Sequence, residues 1–401
     1  MIPNLRQAYN NAFTEAKYTA FLEHVYGLYH SKPAFRVSES PVFIPDDFRD
    51  KLLKACDDIV DVIVRPDFKE ITEGSMKPEY HIPNEDEHPT FLVVDFGICE
   101  GTNGELVPKL IEMQGFPSLY FFQMDLADAY KAHFSEVIPE EMSELFEGYD
   151  TDEGYLKLLR EVIVGDTDPQ NVVLLEVEPE KQNTLVDFLA TSKYLGIKIL
   201  CLTKVIKQGR ELFYKNEKDE LIRIKKIYNR VIFDELEKRP DLTFGFDFND
   251  DLDVEWIGHP NWFFRISKYT LPFLTSEFIP KTYFLDKLTE YPTDLENYVL
   301  KPLFSFSGQG VKINITKQDL DEVEDRSNHI LQEKVNYVAA LETLSEPAKI
   351  EIRMLLIWKK EWARPKVVNN LIRLSKGIMI GVRYNKDKDW VGASVGLFNP
   401  K

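Results

Sequence analysis

The sequence predicts an α/β (α+β) chain, and three stretches carry that prediction. Residues 172–202 read strand, helix, strand: Val172 to Glu176, then Glu180 to Tyr194 stopped by Gly196, then Ile197 to Leu202. That is one βαβ unit, which implies parallel pairing. Residues 298–315 read as a hairpin that turns through Ser305, Ser307, Gly308 and Gly310, with Val311, Ile313 and Ile315 alternating with Lys312, Asn314 and Thr316 on the return arm. Residues 349–358 alternate charged and apolar side chains before becoming continuously apolar, and further strand patterns follow at Asn370–Lys376, Ile378–Val382 and Trp390–Leu397.

Taken in order, Leu5 to His30 place Leu5, Ala8, Phe13, Ala16, Phe21, Val25 and Leu28 at helical spacing, giving one or two helices. A further helix starts near Asp46, behind Pro45, and runs to about Val64 with Phe48, Leu52, Cys56, Ile59 and Ile63 inward. Pro66 to Pro89 is expected to be a loop. Its His81, Glu85, Asp86, Glu87 and His88 have no metal-ligand spacing and read as a solvated acidic surface. Phe91–Gly97 and Val107–Gly115 read as adjacent strands. A hairpin is expected from Glu211–Tyr214 and Leu221–Ile224, then a strand passing into a short helix over Ile227–Leu236. The acidic Asp247–Asp253 loop precedes the main boundary. The organisation expected is a helical region at 1–90, an α/β substrate and metal domain at 91–255 and a nucleotide-binding region at 256–401.

Length and composition bound the function. A chain of 401 residues, 44% hydrophobic and 12% aromatic, suits two or three subdomains sharing a cleft. No apolar run reaches the length of a membrane span, and the Met1-Ile2-Pro3 start has neither region of a signal peptide, so a soluble, cytoplasmic protein is expected. Cys56, Cys99 and Cys201 are too sparse for a metal or disulfide framework. A net charge of −18 argues against nucleic acid as a partner. From Glu346 onward, however, twelve Lys or Arg face five Asp or Glu. A basic wall in an acidic protein suits a polyanionic small molecule such as ATP, although a solvated basic face gives the same count.

Two groups of residues carry candidate chemistry. In the 298–311 hairpin the glycines admit an anion close to the backbone, Ser305 and Ser307 add hydroxyl donors and Lys301 adds a point charge, the parts of a phosphate site. An ordinary hairpin would use the same glycines for its turn. On the two adjacent strands, Asp95, Glu112 and Gln114 offer oxygen ligands for Mg²⁺, with Glu112 and Gln114 on one face. Strand acids satisfied by a basic neighbour would look the same.

The order of these features resembles the ATP-grasp superfamily over Trp256–Leu397: Lys268 before the second lobe, Lys301 on a strand ahead of Ser305–Gly310, the short segment Gln332-Glu333-Lys334-Val335, then Glu351-Ile352-Arg353. Lys301-Pro-Leu-Phe-Ser305 and Lys226-Ile-Tyr-Asn229 are similar to segments of the glutathionylspermidine synthase branch, whose metal-binding acids lie upstream, where Asp95 and Glu112 stand here. The resemblance implies a preATP-grasp α/β domain followed by ATP-grasp lobes with antiparallel sheets. It implies adenine along Glu333 to Val335 and phosphates on Lys268, Lys301 and the Ser305, Ser307, Gly308, Gln309 and Gly310 loop. It also implies Mg²⁺ on Asp95, Glu112 and Gln114, with Arg353, Arg373 and Lys376 stabilising transferred charge. The implied activity is ATP-dependent amide formation from a carboxylate and an amine, peptide-like or polyamine, through an acyl phosphate. Two positions depart from the branch: Val93 stands where it has an arginine, and Gln114 where it has an asparagine. A nucleotide-binding protein without turnover is the alternative. A serine hydrolase or phosphatase is not expected, since the histidines form no metal-ligand pair.

Overall fold

The computed structural model describes residues 1–77, 79–146, 148–149, 151–305, 309–377, 380 and 385–399. Ser307, Gly308 and most of the strand expected at Ile378–Val382 lie outside the described residues. The N-terminal periodicity forms α1 (Pro3–Ala12) and α2 (Glu15–Gly27); Pro3 takes an early helical position, and the Thr14 side chain caps α2 by accepting from the Lys17 amide. After β1 (Val42–Ile44) comes α3 (Asp46–Ile63), with Asp46 and Asp47 in its first turn and Phe48, Leu52, Cys56, Ile59 and Ile63 buried at the expected spacing.

The stretch expected to be a solvated loop is partly ordered and docked. It holds α4 (Phe68–Ile71) and a 3-10 turn, Glu73–Ser75. Glu85 is fastened to Arg265 at 2.8 Å and to the Asn261 amide at 2.8 Å, and the buried His259 donates from Nε2 to the Pro83 carbonyl of the same segment at 3.0 Å. Local spacing says nothing of a distant arginine that recruits the acids.

Next come β2 (Phe91–Glu100) and β3 (Leu106–Gln114), then two helices in a span where no element was expected, α5 (Phe122–His133) and α6 (Asp152–Ile163). The second buries Tyr155, Leu158, Leu159 and Ile163 and is capped by Thr151, a legible helical signal. The βαβ unit follows as β4 (Val172–Glu176), α7 (Leu185–Leu195) and β5 (Lys198–Cys201); its helix starts late because Pro179–Lys181 forms a separate 3-10 turn. The hairpin strands are preceded by β6 (Ile206–Gln208) and appear as β7 (Glu211–Lys215) and β8 (Leu221–Ile224), followed by β9 (Lys226–Asn229) and α8 (Phe233–Leu236).

The remaining elements are β10 (Glu255–Ile257), α9 (Asn261–Arg265), β11 (Thr282–Phe284), β12 (Tyr298–Pro302), β13 (Lys312–Ile313), α10 (Lys317–Asp321), β14 (His329–Glu333), β15 (Lys349–Ile357), β16 (Lys366–Ser375), β17 (Gly392–Ser394) and β18 (Gly396–Phe398). A parallel sheet runs β10-β9-β4-β5. An antiparallel lobe runs β11-β14-β12-β13, and a five-stranded antiparallel sheet runs β17-β16-β15-β2-β3. The chain is thus mixed α/β with several antiparallel sheets.

The five-stranded sheet positions the site. Leu92, Val94, Phe96 and Ile98 of β2 point to one face, into a core shared with α3 and with Ile350, Ile352, Met354 and Leu356 of β15. Phe91 and Val93 point to the other, into a core with α6, α7 and β4. The pleat puts Asp95 and Gly97 on that second face, just beyond the apolar packing.

Candidate functional site

Register brings the site's charged side chains together. Asp95 lies opposite Arg353 on one neighbouring strand and Glu112 on the other, while Glu351 lies opposite both Gly97 and Arg373. Arg353 donates from Nε to Asp95 Oδ1 at 2.6 Å and from Nη2 to Oδ2 at 2.7 Å, and from Nη1 to Ser118 Oγ at 2.8 Å. Arg373 Nη2 reaches the same Asp95 Oδ2 at 2.5 Å and also pairs with Glu351. The Tyr337 hydroxyl donates to Glu351 Oε2 at 2.7 Å. Burial works to raise the pKa of Asp95, but the two guanidinium groups outweigh it and hold the carboxyl below its ordinary value. For Glu351 burial prevails, with the Asp95 charge acting in the same direction, and its pKa is raised despite Arg373.

Across the cleft stands the lysine of the hairpin. Lys301 is 9% exposed and donates to Gln332 Oε1 at 2.5 Å and to the Ile111 carbonyl at 3.2 Å. That carbonyl is free for a side chain because the β2–β3 ladder slips between Asp95 and Phe96, leaving Ile111 as the extra residue of a bulge. Burial pushes the Lys301 ammonium down to about 8; Glu112 and Glu351 oppose the shift and Lys268 adds to it. Gln332 is fully buried, and its Nε2 has no partner among the described residues. Lys268, also buried, donates to the Ser305 carbonyl at 2.7 Å and stands 3.8 Å from Glu112.

The other expected residues are placed less uniformly. Gly310 has φ 72°, and a Cβ there would fall 2.7 Å from the Pro302 ring, so the hairpin needs glycine at this turn whatever it binds. Gln309 is exposed and accepts from Lys238 at 3.2 Å. The backbone amides of Glu333 and Lys334 already donate to the carbonyls of Lys281 and Asn297, at 2.9 and 2.7 Å, and Val335 packs over Gly97. Lys376 points elsewhere, to Asp389 at 2.8 Å and Ser345 at 2.6 Å. Among the described residues the C-terminal basic excess does not form one wall: Lys359, Lys360 and Arg364 pair with Glu161, Glu255 and Asp61.

As to a cation, Asp95 Oδ2 is shared by two guanidiniums and Oδ1 faces one of them, so this carboxylate is committed to arginine. Glu112 and Gln114 remain open, lining with Lys268 and Ser305 a cavity of about 40 Å³. Among the described residues no group of three or more His, Cys, Asp or Glu converges as a metal cage. That donor set fits a Mg²⁺ brought in on phosphate oxygens better than one bound by protein alone. The cations Lys268, Lys301, Arg353 and Arg373 stand against the acids Asp95, Glu112, Glu351 and Asp234, the last lining the same cavity as Lys268, so the cleft is balanced in formal charge and offers individual lysine and arginine donors to an anion.

Ser118 and Tyr337 complete this network and carry no motif. Gly97 makes room for the second: a Cβ there would fall 2.7 Å from the Tyr337 ring. The run Gly392-Ala393-Ser394-Val395-Gly396 has the spacing of a nucleophile elbow, but Ser394 lies fully buried on a strand and donates to the Ser40 carbonyl at 2.5 Å, so it is no nucleophile. Among the described residues no helix is long and apolar enough to cross a membrane.

No protein-family description and no curated protein matches the chain. Among solved structures, it is similar to a glutathione synthetase-like effector from Globodera pallida in its apo form, with a TM-score of 0.58 and 10% identity, over 98% of this chain and 99% of that one. At that identity the likeness establishes a shared fold, in keeping with the mixed α/β class expected of ATP-grasp lobes.

Proposed function

We propose that the chain is an ATP-dependent carboxylate–amine ligase, similar to the glutathionylspermidine synthase branch. The fold shared with a glutathione synthetase-like effector supports the ligase class at a coarse level. The observation that carries the reading is Lys301: a buried lysine on the hairpin lobe that meets the bulged Ile111 carbonyl beside Glu112, with the orphaned Nε2 of Gln332 at its side.

In this reading Lys268 and Lys301 bind phosphate oxygens, and Gln332 turns its free amide donor to the nucleotide. Glu112 and Gln114 would hold Mg²⁺, whose contribution is to neutralise charge on the transferred phosphoryl group. Arg353 and Arg373, fixed by Asp95 and Glu351, present guanidinium edges toward the carboxylate that receives the phosphoryl group. Little covalent chemistry is asked of the protein beyond positioning and charge stabilisation. A cavity of about 40 Å³ holds a few waters and not a triphosphate, so the Lys268–Ser305 contact opens when nucleotide binds.

A nucleotide-binding protein without turnover is the second reading, favoured by the commitment of Asp95 to Arg353 and Arg373. Mg·ATP calorimetry on wild type and Lys301→Ala tests both: binding by the wild type alone is expected, and absence of binding in both removes the nucleotide assignment. Phosphate release dependent on a carboxylate and an amine separates ligase from binder.

A further inference from the structure

Away from the cleft, α2 packs on α5 through a stacked aromatic pair. Phe21 and Tyr130 are both fully buried, and their ring centroids lie 4.4 Å apart with 25° between the planes. One turn further along each helix the seam reaches solvent, and there each helix carries a histidine. His24 stands in the last turn of α2, and His133 is the last residue of α5. His24 is exposed and His133 half-buried, the latter edge-on to the Phe21 ring at 6.2 Å. The packed aromatics beneath therefore fix the spacing of the two imidazoles at the rim.

His24 Nδ1 and His133 Nε2 are 3.2 Å apart. Two ring nitrogens at that distance repel through their lone pairs unless a hydrogen on one of them, or a metal ion bound by both, stands between. The spacing suits a metal: nitrogens about 2.0–2.1 Å from one tetrahedral zinc ion lie about 3.3–3.4 Å from each other. The ring planes are tilted by 49° with centroids 5.3 Å apart, so the rings do not stack and meet through their nitrogens. Two further features favour a cation. Both histidines lie at helix C-termini, where unsatisfied carbonyls give a partial negative charge. Burial and the neighbouring His24 both lower the pKa of His133, which favours the neutral ring that a metal requires.

We propose that His24 and His133 form a binding site for one borderline divalent transition-metal ion of the zinc class, and that the bound ion clips α2 to α5. Imidazole suits such ions, whereas Mg²⁺ prefers oxygen ligands. Among the described residues no third His, Cys, Asp or Glu joins the pair, so water fills the remaining positions. In the metal-free pair one ring donates its hydrogen to the other. On binding, that hydrogen moves to the opposite nitrogen of its own ring, both facing nitrogens present lone pairs to the ion, and no proton is lost overall. The site shares no residue with the nucleotide cleft and does not depend on the ligase reading.

The test is Zn²⁺ calorimetry on the full chain at neutral pH without nucleotide, with Mg²⁺ as the control ion and His24→Ala and His133→Ala in parallel. Wild type is expected to bind one Zn²⁺ per chain, each variant at least tenfold more weakly, and excess Mg²⁺ should leave the Zn²⁺ affinity unchanged. An ion that binds the folded state raises stability, so the unfolding midpoint of wild type should rise with Zn²⁺ and those of the variants should not. Histidine ¹⁵N spectra of wild type need no variant: two of the seven imidazoles should shift as one equivalent of Zn²⁺ is added. The proposal is overturned if wild type binds no Zn²⁺, which leaves an ordinary hydrogen bond between the rings, if either variant keeps the wild-type affinity, if Mg²⁺ competes on equal terms, or if the shifts fall on other histidines.

Discussion

Arg353 clasps Asp95 with two parallel hydrogen bonds, Nε to Oδ1 at 2.6 Å and Nη2 to Oδ2 at 2.7 Å, from the position directly opposite in the β2–β15 ladder. Bidentate geometry of this kind is the strong form of the ion pair. Because Asp95 is 1% exposed and also receives Arg373, it anchors both guanidiniums that border the cleft.

Removing that anchor leaves Arg353, mostly buried, without its carboxylate and Arg373, about a third exposed, with Glu351 alone. Asp95→Ala is expected to lower stability by about 3–5 kcal/mol in urea unfolding at pH 7, the range for breaking one side of a buried pair. Asp95→Leu combined with Arg353→Met should lose less than Asp95→Leu alone. The pH dependence follows from a folded pKa below the ordinary 3.8: the contribution is complete above that value and disappears as pH falls through the folded pKa. An Asp95→Ala protein as stable as wild type at pH 7 would contradict the clamp.

The pKa of Lys301 is depressed as well, but here the fold favours the neutral form of the group. Its folded pKa of about 8 lies below the ordinary 10.5, so the folded state releases its proton first and stability rises between those values. Keeping the charge buried at pH 7 costs on the order of 3 kcal/mol. Lys301→Met should therefore be no less stable than wild type at pH 7, should lack the rise between pH 8 and 10.5, and should lose nucleotide binding. Parallel stability curves for the two proteins would show that the amine is not desolvated.

Gly97 is required by a neighbour, not by its own backbone. Gly97→Ala puts a methyl 2.7 Å from the Tyr337 ring and 3.0 Å from Val335, so the ring must shift and the Tyr337–Glu351 hydrogen bond is lost. The expected cost is about 1–3 kcal/mol by urea unfolding, as for other overpacked sites, and Gly97→Ala combined with Tyr337→Ala should recover part of it.

What could be read from the sequence follows from distance along the chain. The α3 stripe, the β4–β5 unit, the β7–β8 hairpin and the turn at Gly310 are local patterns, and each stands where period and turn chemistry put it. Lys268, Lys301, Glu112 and Arg353 were nameable because motifs carry them, but their partners were not. Nothing near Asp95 in sequence announces Arg373, 278 residues away, and nothing near Glu85 announces Arg265, 180 residues away. The Ile111 bulge depends on how two strands register. Lys376 shows the converse, a charge in the expected order along the chain whose side chain turns to Asp389.

Glu112 separates the two possible homes of a metal ion. Its nearest cation, Lys268, is 3.8 Å away and its side chain is 34% exposed, so the pair contributes little to folding, within about 1 kcal/mol for such partly exposed contacts. Glu112→Gln should then leave the unfolding midpoint nearly unchanged while weakening Mg·ATP binding at least tenfold, with magnesium-free ATP bound as well as before or better once a nearby negative charge is gone. Asp95→Asn makes the contrast: it should destabilise the protein while its remaining folded fraction keeps the magnesium dependence of nucleotide binding. Calorimetric titrations of ATP into both variants, with and without Mg²⁺, read this directly. If the magnesium dependence instead follows Asp95 and not Glu112, the carboxylate must leave its arginines on binding, and the clamp described above is a resting arrangement that nucleotide displaces.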